Sequence, residues 1–418
     1  MNIVITGVGY VGLVTAVCFA EKGNHVVCLD TNEERIKMLK EGISPIYEPG
    51  LQELMIKNKS RLTYTGDFKL AYRTADIVFI CVGTPEKDNG EIELSYVKTV
   101  AKQIGESVKQ DCVVVVKSTV PIGTNDEVEK IIEDNLANKV HVSVASNPEF
   151  LSQGSAIFNT LHAKRIIIGV EDEVAKKVLT DLYTNFELPI VVTNRRSAEM
   201  TKYAANNFLA LKISFINEIA NLCELVGANI DDVVKGMSYD PRIGDKFFQC
   251  GIGYGGSCFP KDTKTLYQIG LDHGYEMKTI KSTIDANEVQ KTVLFHKAKK
   301  IIGSFNNKDV SILGLTFKPN TDDLRDAPSL EVIKLLEKEG AIIHVYDPIG
   351  MDNFKKCKVT AKTCESLEDA IKKSDIIFVL TEWDEIANAD YSNKIVFDGR
   401  NCVKNKQKIK KYISIGNH

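Results

Sequence analysis

Glycines at positions 7, 9 and 12 directly follow the apolar run Asn2–Thr6 and open a helical pattern that reaches about Lys22. This order of strand, glycine turn and helix admits few folds. Gly7 permits the tight turn. Gly9 lets backbone approach a bound group, and Gly12 lets the helix pack close to the strand. The free N–H groups and positive dipole at the helix start suit an anion such as a pyrophosphate. A second apolar run, His25–Asp30, ends on a carboxylate 18 residues past Gly12. An acid there hydrogen-bonds ribose hydroxyls and repels a 2′-phosphate, which favours NAD over NADP. Arg35, five residues later, blurs that preference. Alone, Gly7-Val8-Gly9-Tyr10-Val11-Gly12 could be a structural turn. With strand, helix and acid in register it predicts a dinucleotide site.

Further apolar runs at Ile77–Val82, Cys112–Lys117, His141–Ala145 and Arg165–Val170 alternate with helical stretches. Alternation of this kind implies parallel βαβ units. From Ser197 to Val226 the pattern changes. Met200, Tyr203, Phe208, Leu211, Phe215, Ile219, Leu222 and Leu225 recur at helical spacing, with no glycine or proline before Gly227. One helix of about 45 Å follows. A helix of that length bridges domains or builds a dimer. Helical patterning continues to about Ile302, and strand-like runs return at Val310–Thr316, Ile342–Tyr346, Asp375–Leu380 and Lys394–Phe397. ADIVFICVGTP (75–85) and SDIIFVLTEW (374–383) echo each other weakly. The expected class is α/β. Two Rossmann-like parallel-sheet domains, 1–195 and 303–418, are joined by an all-helical domain, 196–302, with one long helix. The second half has GLTFKPNT at the equivalent turn and lacks the glycine fingerprint, so it should bind something else.

Composition narrows the function by exclusion. With 53 basic and 56 acidic residues, no basic excess points to nucleic acid or an anionic membrane. No stretch approaches 18 uninterrupted apolar residues, so no membrane span is expected. Ten cysteines occur without a CxxC pair, and seven histidines without metal spacing. That predicts reduced thiols in a cytoplasmic protein and no metal site.

The stretch Gly251–Asp262, GIGYGGSCFPKD, carries the most chemistry. Its glycines exclude a helix up to Gly256 and let backbone pass close to a ligand. Cys258 then falls at a predicted helix start, with Pro260 suited to the first turn. A helix N-terminus favours thiolate, the nucleophilic form. Asp262 lies four residues on, along the same face, where it can orient a water or take a proton. Most cysteines are inert core thiols, and the other nine are read so. Lys202 and Asn206 share one face of the long helix. A lysine there is commonly a solvated residue, but its ammonium can also stabilise an oxyanion. Asn147-Pro148-Glu149-Phe150-Leu151, Thr84-Pro85 and Ser118-Thr119-Val120-Pro121 end predicted strands, and ligands bind outside the carboxyl ends of parallel strands.

In order along the whole chain, these stretches resemble the UDP-glucose/GDP-mannose dehydrogenase family: GVGYVG, VGTP, STVP, NPEFL, EMTKYAANNFLALKISFINE, PRIGDKF, GYGGSCFPKD, FKPNTDDLRDAPS and FDGR. The resemblance implies an NAD-binding domain, a helical domain forming a homodimer through the long helix, and a nucleotide-sugar domain. It implies oxidation of C6 to the acid with two NAD⁺ and one water, through a thiohemiacetal and a thioester. Carried over by motif, Cys258 is the nucleophile and Lys202, Asn206 and Asp262 surround C6. Glu149, with Thr119 nearby, assists hydrolysis. Glu149, Phe150, Leu151, Phe317 and Lys318 line the substrate. Arg242 contacts it across the dimer. Phe247, Gln249, Tyr254 and Gly255 wrap the sugar and uracil, and Arg400 touches the nucleotide end. For NAD the matches are Gly7 to Gly12, Asp30, Arg35, Thr84, Pro85, Ser118, Thr119, Val120 and Arg325. Gln153 stands where the family commonly has an acid, and Gln249 where some relatives carry a base. RIG followed by GIGYGGSCFPKD resembles the UDP-glucose branch, with GDP-mannose and UDP-N-acetylhexosamines as alternatives. Two rival classes are a single-step β-hydroxyacid dehydrogenase, which needs no cysteine, and a non-catalytic nucleotide-sugar sensor.

Overall fold

The computed structural model describes residues 1–87 and 90–417. The chain divides into two compact units, Met1–Ala204 and Ala205–His418. The first is built on eight strands: β1 (Asn2–Thr6), β2 (His25–Leu29), β3 (Leu62–Thr65), β4 (Ile77–Ile80), β5 (Cys112–Val116), β6 (Val142–Ser146), β7 (Ile166–Gly169) and β8 (Ile190–Thr193). Their order is β3-β2-β1-β4-β5-β6-β7-β8. Strand order reverses between β1 and β4, which is where a doubly wound sheet opens its crevice. Alternate residues feed cores on both faces. Ile3, Ile5, Phe79 and Val113 pack on one side, and Val4, Val78, Ile80 and Val114 on the other. Burial on both faces is why these strands read as unbroken apolar runs.

β7 corrects the expectation of an all-parallel sheet. It pairs antiparallel with β6 through Ser146 and Gly169, while β8 runs parallel to β7. Only the six-residue helix Ala156–Leu161 lies between β6 and β7. A parallel return needs a crossover of a dozen or more residues, usually through a longer helix. β3 and β8 also went unforeseen. β8 is an edge strand whose central residues, Val191 and Val192, are exposed.

Between residues 195 and 302 the described chain holds helices and no strand, among them Arg195–Val226, Ile230–Ser238, Phe259–Asp272 and Lys278–Ile302. The long helix has 32 residues and begins two residues before the expected start. Gly227, with φ of 75°, closes it. In the second unit six strands follow: β9 (Asp309–Leu313), β10 (Ile342–Tyr346), β11 (Lys362–Thr363), β12 (Ile376–Val379), β13 (Ile395–Asp398) and β14 (Lys411–Ile413). Their order, β11-β10-β9-β12-β13-β14, repeats the order of the first six strands of the other sheet. The echo between 75–85 and 374–383 therefore marks the fourth strand of each sheet. Helices and sheet of this unit share one core. Ile216, Ala220 and Cys223 of the long helix join Phe295, Ile312 and Phe397. Within it Phe295, Phe305, Phe378 and Phe397 form a chain of rings with centroid spacings of 6.0, 6.4 and 5.0 Å.

Phe378 is fully buried in the middle of that chain. Phe378→Ala should lower the stability of the second unit by about 3–5 kcal/mol. A urea titration reporting on this unit checks it, and a loss under about 1 kcal/mol would mean the core closes over the gap.

Candidate active site

In the first unit the glycine turn is as tight as its residues allow. Gly7 N–H donates to Leu29 O at 2.8 Å. A Cβ on Gly12 would lie 1.9 Å from Gly7 O, so no other residue fits there without moving the helix. A Cβ on Gly9 would meet nothing within 4 Å, so that backbone faces open space ahead of the helix Tyr10–Glu21. This is the cradle a pyrophosphate needs. Asp30 accepts from Val8 N–H at 2.9 Å and pairs with Arg35 at 3.0 Å. Arg35 therefore neutralises Asp30 from the side. Tyr10 donates its hydroxyl to Glu48, a buried carboxylate that also accepts from Gly154 and Ala156 N–H, both at 2.7 Å. That carboxylate ties the glycine turn to the segment after Glu149.

The second unit repeats the scaffold and fills it. Gly314 N–H donates to Tyr346 O at 2.8 Å, the same bond that Gly7 makes with Leu29. Asp347 follows β10 as Asp30 follows β2. It is 1% exposed and accepts from Leu315, Thr316, Ile349 and Gly350 N–H, the Thr316 hydroxyl and the Trp383 indole. Its oxygens have no capacity left for a ribose. The next helix starts at Pro328 instead of three residues past the glycine. A dinucleotide cradle is absent from this turn.

Two loops close over the strand ends of the first sheet. Ser118 Oγ donates to Val82 O at 2.7 Å, and Thr84 Oγ1 donates to Thr119 O at 2.9 Å. Val120 is buried beneath them, and Pro85 O accepts from Glu93 N–H at 2.9 Å. Beside β6, Lys202 Nζ donates to Glu149 Oε1 at 2.8 Å and to Glu149 O at 2.7 Å. Both side chains are under 10% exposed. Glu149 Oε2 accepts from Leu151 N–H at 2.8 Å. The Phe150 ring lies under Arg165 at 3.8 Å and Lys202 at 5.4 Å. A buried ion pair persists only where further hydrogen bonds offset its desolvation, and here they are present. Gln153, two residues past Leu151, is half-buried.

In the second unit Cys258 caps the helix Phe259–Asp272, with Pro260 in its first turn. Asp262 N–H donates to Cys258 O at 2.8 Å. Asp262 is 1% exposed and accepts from Asn206 Nδ2 and Lys261 Nζ, both at 2.6 Å. Asn207 adds a bond to its carbonyl at 3.1 Å. Cys258 is partly exposed, while Cys18, Cys81, Cys112 and Cys250 are buried and desolvation pushes each up to about 12. The glycine loop before Cys258 is pressed against the segment 323–327. A Cβ on Gly255 would lie 2.4 Å from Asp326 O. Arg325 is forked onto Asp323 at 2.6–3.1 Å, which raises its already high pKa.

The remaining expected residues divide. Phe247 and Tyr254 both lean on the Phe259 ring, at 6.3 and 5.8 Å. Phe247 adopts φ of 65°, a costly conformation for an aromatic residue and a mark of functional segments. Lys318 lies 5.6 Å over the Phe317 ring. Gln249 donates to Arg400 O at 3.4 Å. Arg400 donates to the carbonyls of Leu380, Gly253 and Phe317 at 3.0–3.3 Å, so it braces the loop. Arg242 stands apart: it is exposed and forked onto its neighbour Asp240. Sequence reasoning missed Lys117, Lys261, Glu48 and Asp347. Lys117 carried a signal, a lone charge closing an apolar run. Burial pushes its pKa down. Among the described residues no cluster suited to a metal ion exists, and no helix is long and apolar enough to cross a membrane.

The glycine cradle and the acid after β2 in the first unit are those of an NAD-dependent dehydrogenase. Comparison with known proteins agrees. Residues 1–187 match the NAD binding domain of the UDP-glucose/GDP-mannose dehydrogenase family, 196–289 its central domain and 311–405 its UDP binding domain. The chain belongs to that family. It is 48% identical to UDP-glucose 6-dehydrogenase YwqF of Bacillus subtilis over 96% of this chain and 94% of that protein. It is 44% identical to UDP-glucose 6-dehydrogenase of Rhizobium meliloti, over 100% and 99%. The structure of a UDP-glucose dehydrogenase from Pyrobaculum islandicum matches with a TM-score of 0.96 at 37% identity, covering 100% of this chain and 98% of that one.

Asp30→Ala removes the partner of Arg35 and the carboxylate expected to accept from a ribose. The KM for NAD should rise roughly 10- to 100-fold, and NADP should become a measurable cosubstrate. An unchanged preference between the two in steady-state assays would remove Asp30 from the selection.

Proposed function

We propose that the chain oxidises UDP-glucose at C6 to UDP-glucuronate, taking two NAD⁺ and one water, through a thiohemiacetal and a thioester on Cys258. The observation that carries this is the setting of Cys258: a partly exposed thiol at a helix N-terminus, behind a close-packed glycine loop, one turn from an acid held by Asn206 and Lys261. A binding module has no use for such a group. The high identity to proteins named as UDP-glucose 6-dehydrogenases supports the substrate. GDP-mannose and UDP-N-acetylhexosamines are the alternatives. Bound NAD⁺ supplies the hydride acceptor in both oxidations.

The chain's own residues do the rest. A base of the site takes the hydroxyl proton as the first hydride leaves C6, and Asp262, Asn206 and Lys202 surround that carbon. Lys202 and Asn206 donate to the C6 oxygen, where charge gathers at each step. Cys258 adds to the aldehyde, which holds it and presents the second hydride; loss of that hydride leaves a thioester. Water, steered by Glu149 with Thr119, cleaves the carbon–sulfur bond and returns the thiol. Fork-like Arg242 is assigned to sugar nucleotide on a second copy, and Phe247, Gln249, Tyr254, Gly255, Phe317, Lys318 and Arg400 to the nucleotide sugar.

The division into 1–195 for NAD, 196–302 for dimerisation and 303–418 for UDP-sugar is part of the same reading. Phe208, Phe215 and Leu222 are spaced by seven along the long helix and lie 61%, 43% and 53% exposed, with Leu225 at 83%. An apolar stripe of that kind suits a second copy. All ten cysteines are free thiols, which fits a reducing, cytoplasmic setting.

Counting NADH formed per UDP-glucose tests the chemistry. Two are expected from the wild type, and a reaction that stops at one would remove the thioester route. Cys258→Ser should lose at least about 10³-fold in overall turnover. Unchanged turnover would favour a single-step β-hydroxyacid-type oxidation. UDP-glucose binding without NADH would favour a sensor. Phe208→Asp with Phe215→Asp should shift the mass in solution to that of one chain, read by light scattering, and an unchanged dimer would move the interface elsewhere.

A further inference from the structure

Lys117 has no part in the reaction as drawn, yet it is a buried ammonium, which is costly to desolvate. It directly follows β5, one residue before Ser118, with 8% of its surface exposed. Its Nζ donates to Asn147 Oδ1 at 3.0 Å and to Asn147 O at 3.4 Å. The Tyr183 hydroxyl donates to the same Oδ1 at 2.5 Å, and Asn147 Nδ2 donates to Ile167 O at 2.8 Å. Asn147 N–H donates to Val116 O at 3.0 Å. Asn147 is thus pinned from four directions, two residues before Glu149.

The charges around it do not balance. Lys117 faces Cys81, Glu149, Lys202 and Cys18. Burial keeps the two cysteines, and Tyr183, in their neutral forms. Arg165 lies further out, stacked on Phe150. What remains inside is one carboxylate, Glu149, beside two lysines. A structural lysine would fill space and satisfy Asn147, and a methionine could fill the same space with no charge to desolvate.

We propose that Lys117 is a positioning residue for the Glu149–Lys202 pair: it fixes the Asn147–Glu149 turn and supplies a second positive charge that sets the pH range of the reaction. This rests on the reading that Glu149 and Lys202 serve the oxidation. Removing a nearby positive charge shifts the titration of every neighbouring group upward.

The test is the pH dependence of kcat/KM for UDP-glucose oxidation by the full-length enzyme. Lys117→Met should move the limbs of the profile to higher pH by about one unit. Lys117→Arg should restore them. Asn147→Asp sets a carboxylate against the ammonium and should shift them in the same direction, and it serves if Lys117→Met does not fold. A lower plateau with unmoved limbs in both neutralising variants would overturn the proposal, as would Lys117→Arg shifting as far as Lys117→Met. Glu149→Gln and Lys202→Met are the controls. If both keep wild-type turnover, the reading of the site fails and this proposal with it. If both are inactive while the limbs stay fixed, the proposal alone fails.

Discussion

The first unit depends on a lysine and a glutamate that meet 2.8 Å apart where water scarcely reaches. Neither charge could be buried alone, because an unpaired ammonium or carboxylate in that setting costs several kcal/mol. The pair therefore imposes conditions on everything near it. Glu149 must present both its carbonyl and its carboxylate to Lys202, which fixes the turn after Asn147-Pro148. Lys202 must come from a rigid element, and the long helix supplies one. Three residues earlier on that helix, Glu199 accepts from Gly123 and Asn125 N–H at 2.6 and 2.9 Å. The segment after Ser118-Thr119 is thereby anchored to the helix that carries Lys202.

The two sheets show how one scaffold takes on different duties. Both have the same strand order, and both make the same N–H to carbonyl bond behind the first strand. They part at the acid after the second strand. Asp30 makes few bonds within the chain and keeps capacity for a ligand, while Asp347 is saturated by six donors from its own unit. The strand order is common to both, so the chemistry is set by what surrounds that carboxylate.

Much of this was legible from the chain. The glycine fingerprint and Asp30 are local in sequence, so spacing alone placed them. The long helix declared itself by its uninterrupted period. Cys258 and Asp262 could be set one turn apart because a glycine run and a proline mark where their helix starts. The misses have physical reasons. β8 is a half-exposed edge, so its IVVT carries no alternation. The direction of β7 depends on the path of residues 147–165, which an apolar run does not encode. Lys117 reads as the polar end of a strand, and only the partners gathered from β6 and the helix Glu173–Thr184 show it to be buried. Asp347 was hidden because the turn after β9 keeps Gly314 but lacks the rest of the glycine fingerprint, although Asp347 follows β10 as Asp30 follows β2.

The distribution of thiols has a practical corollary. Seven of the ten cysteines are buried, and of the three besides, Cys402 is pushed up by burial beside Asp398 and Cys357 by burial alone, which leaves Cys258. A mild electrophile would meet the partly exposed Cys258 sulfur at a helix start and little else to react with. The protein is thus suited to labelling that reports on one atom without any background mutation.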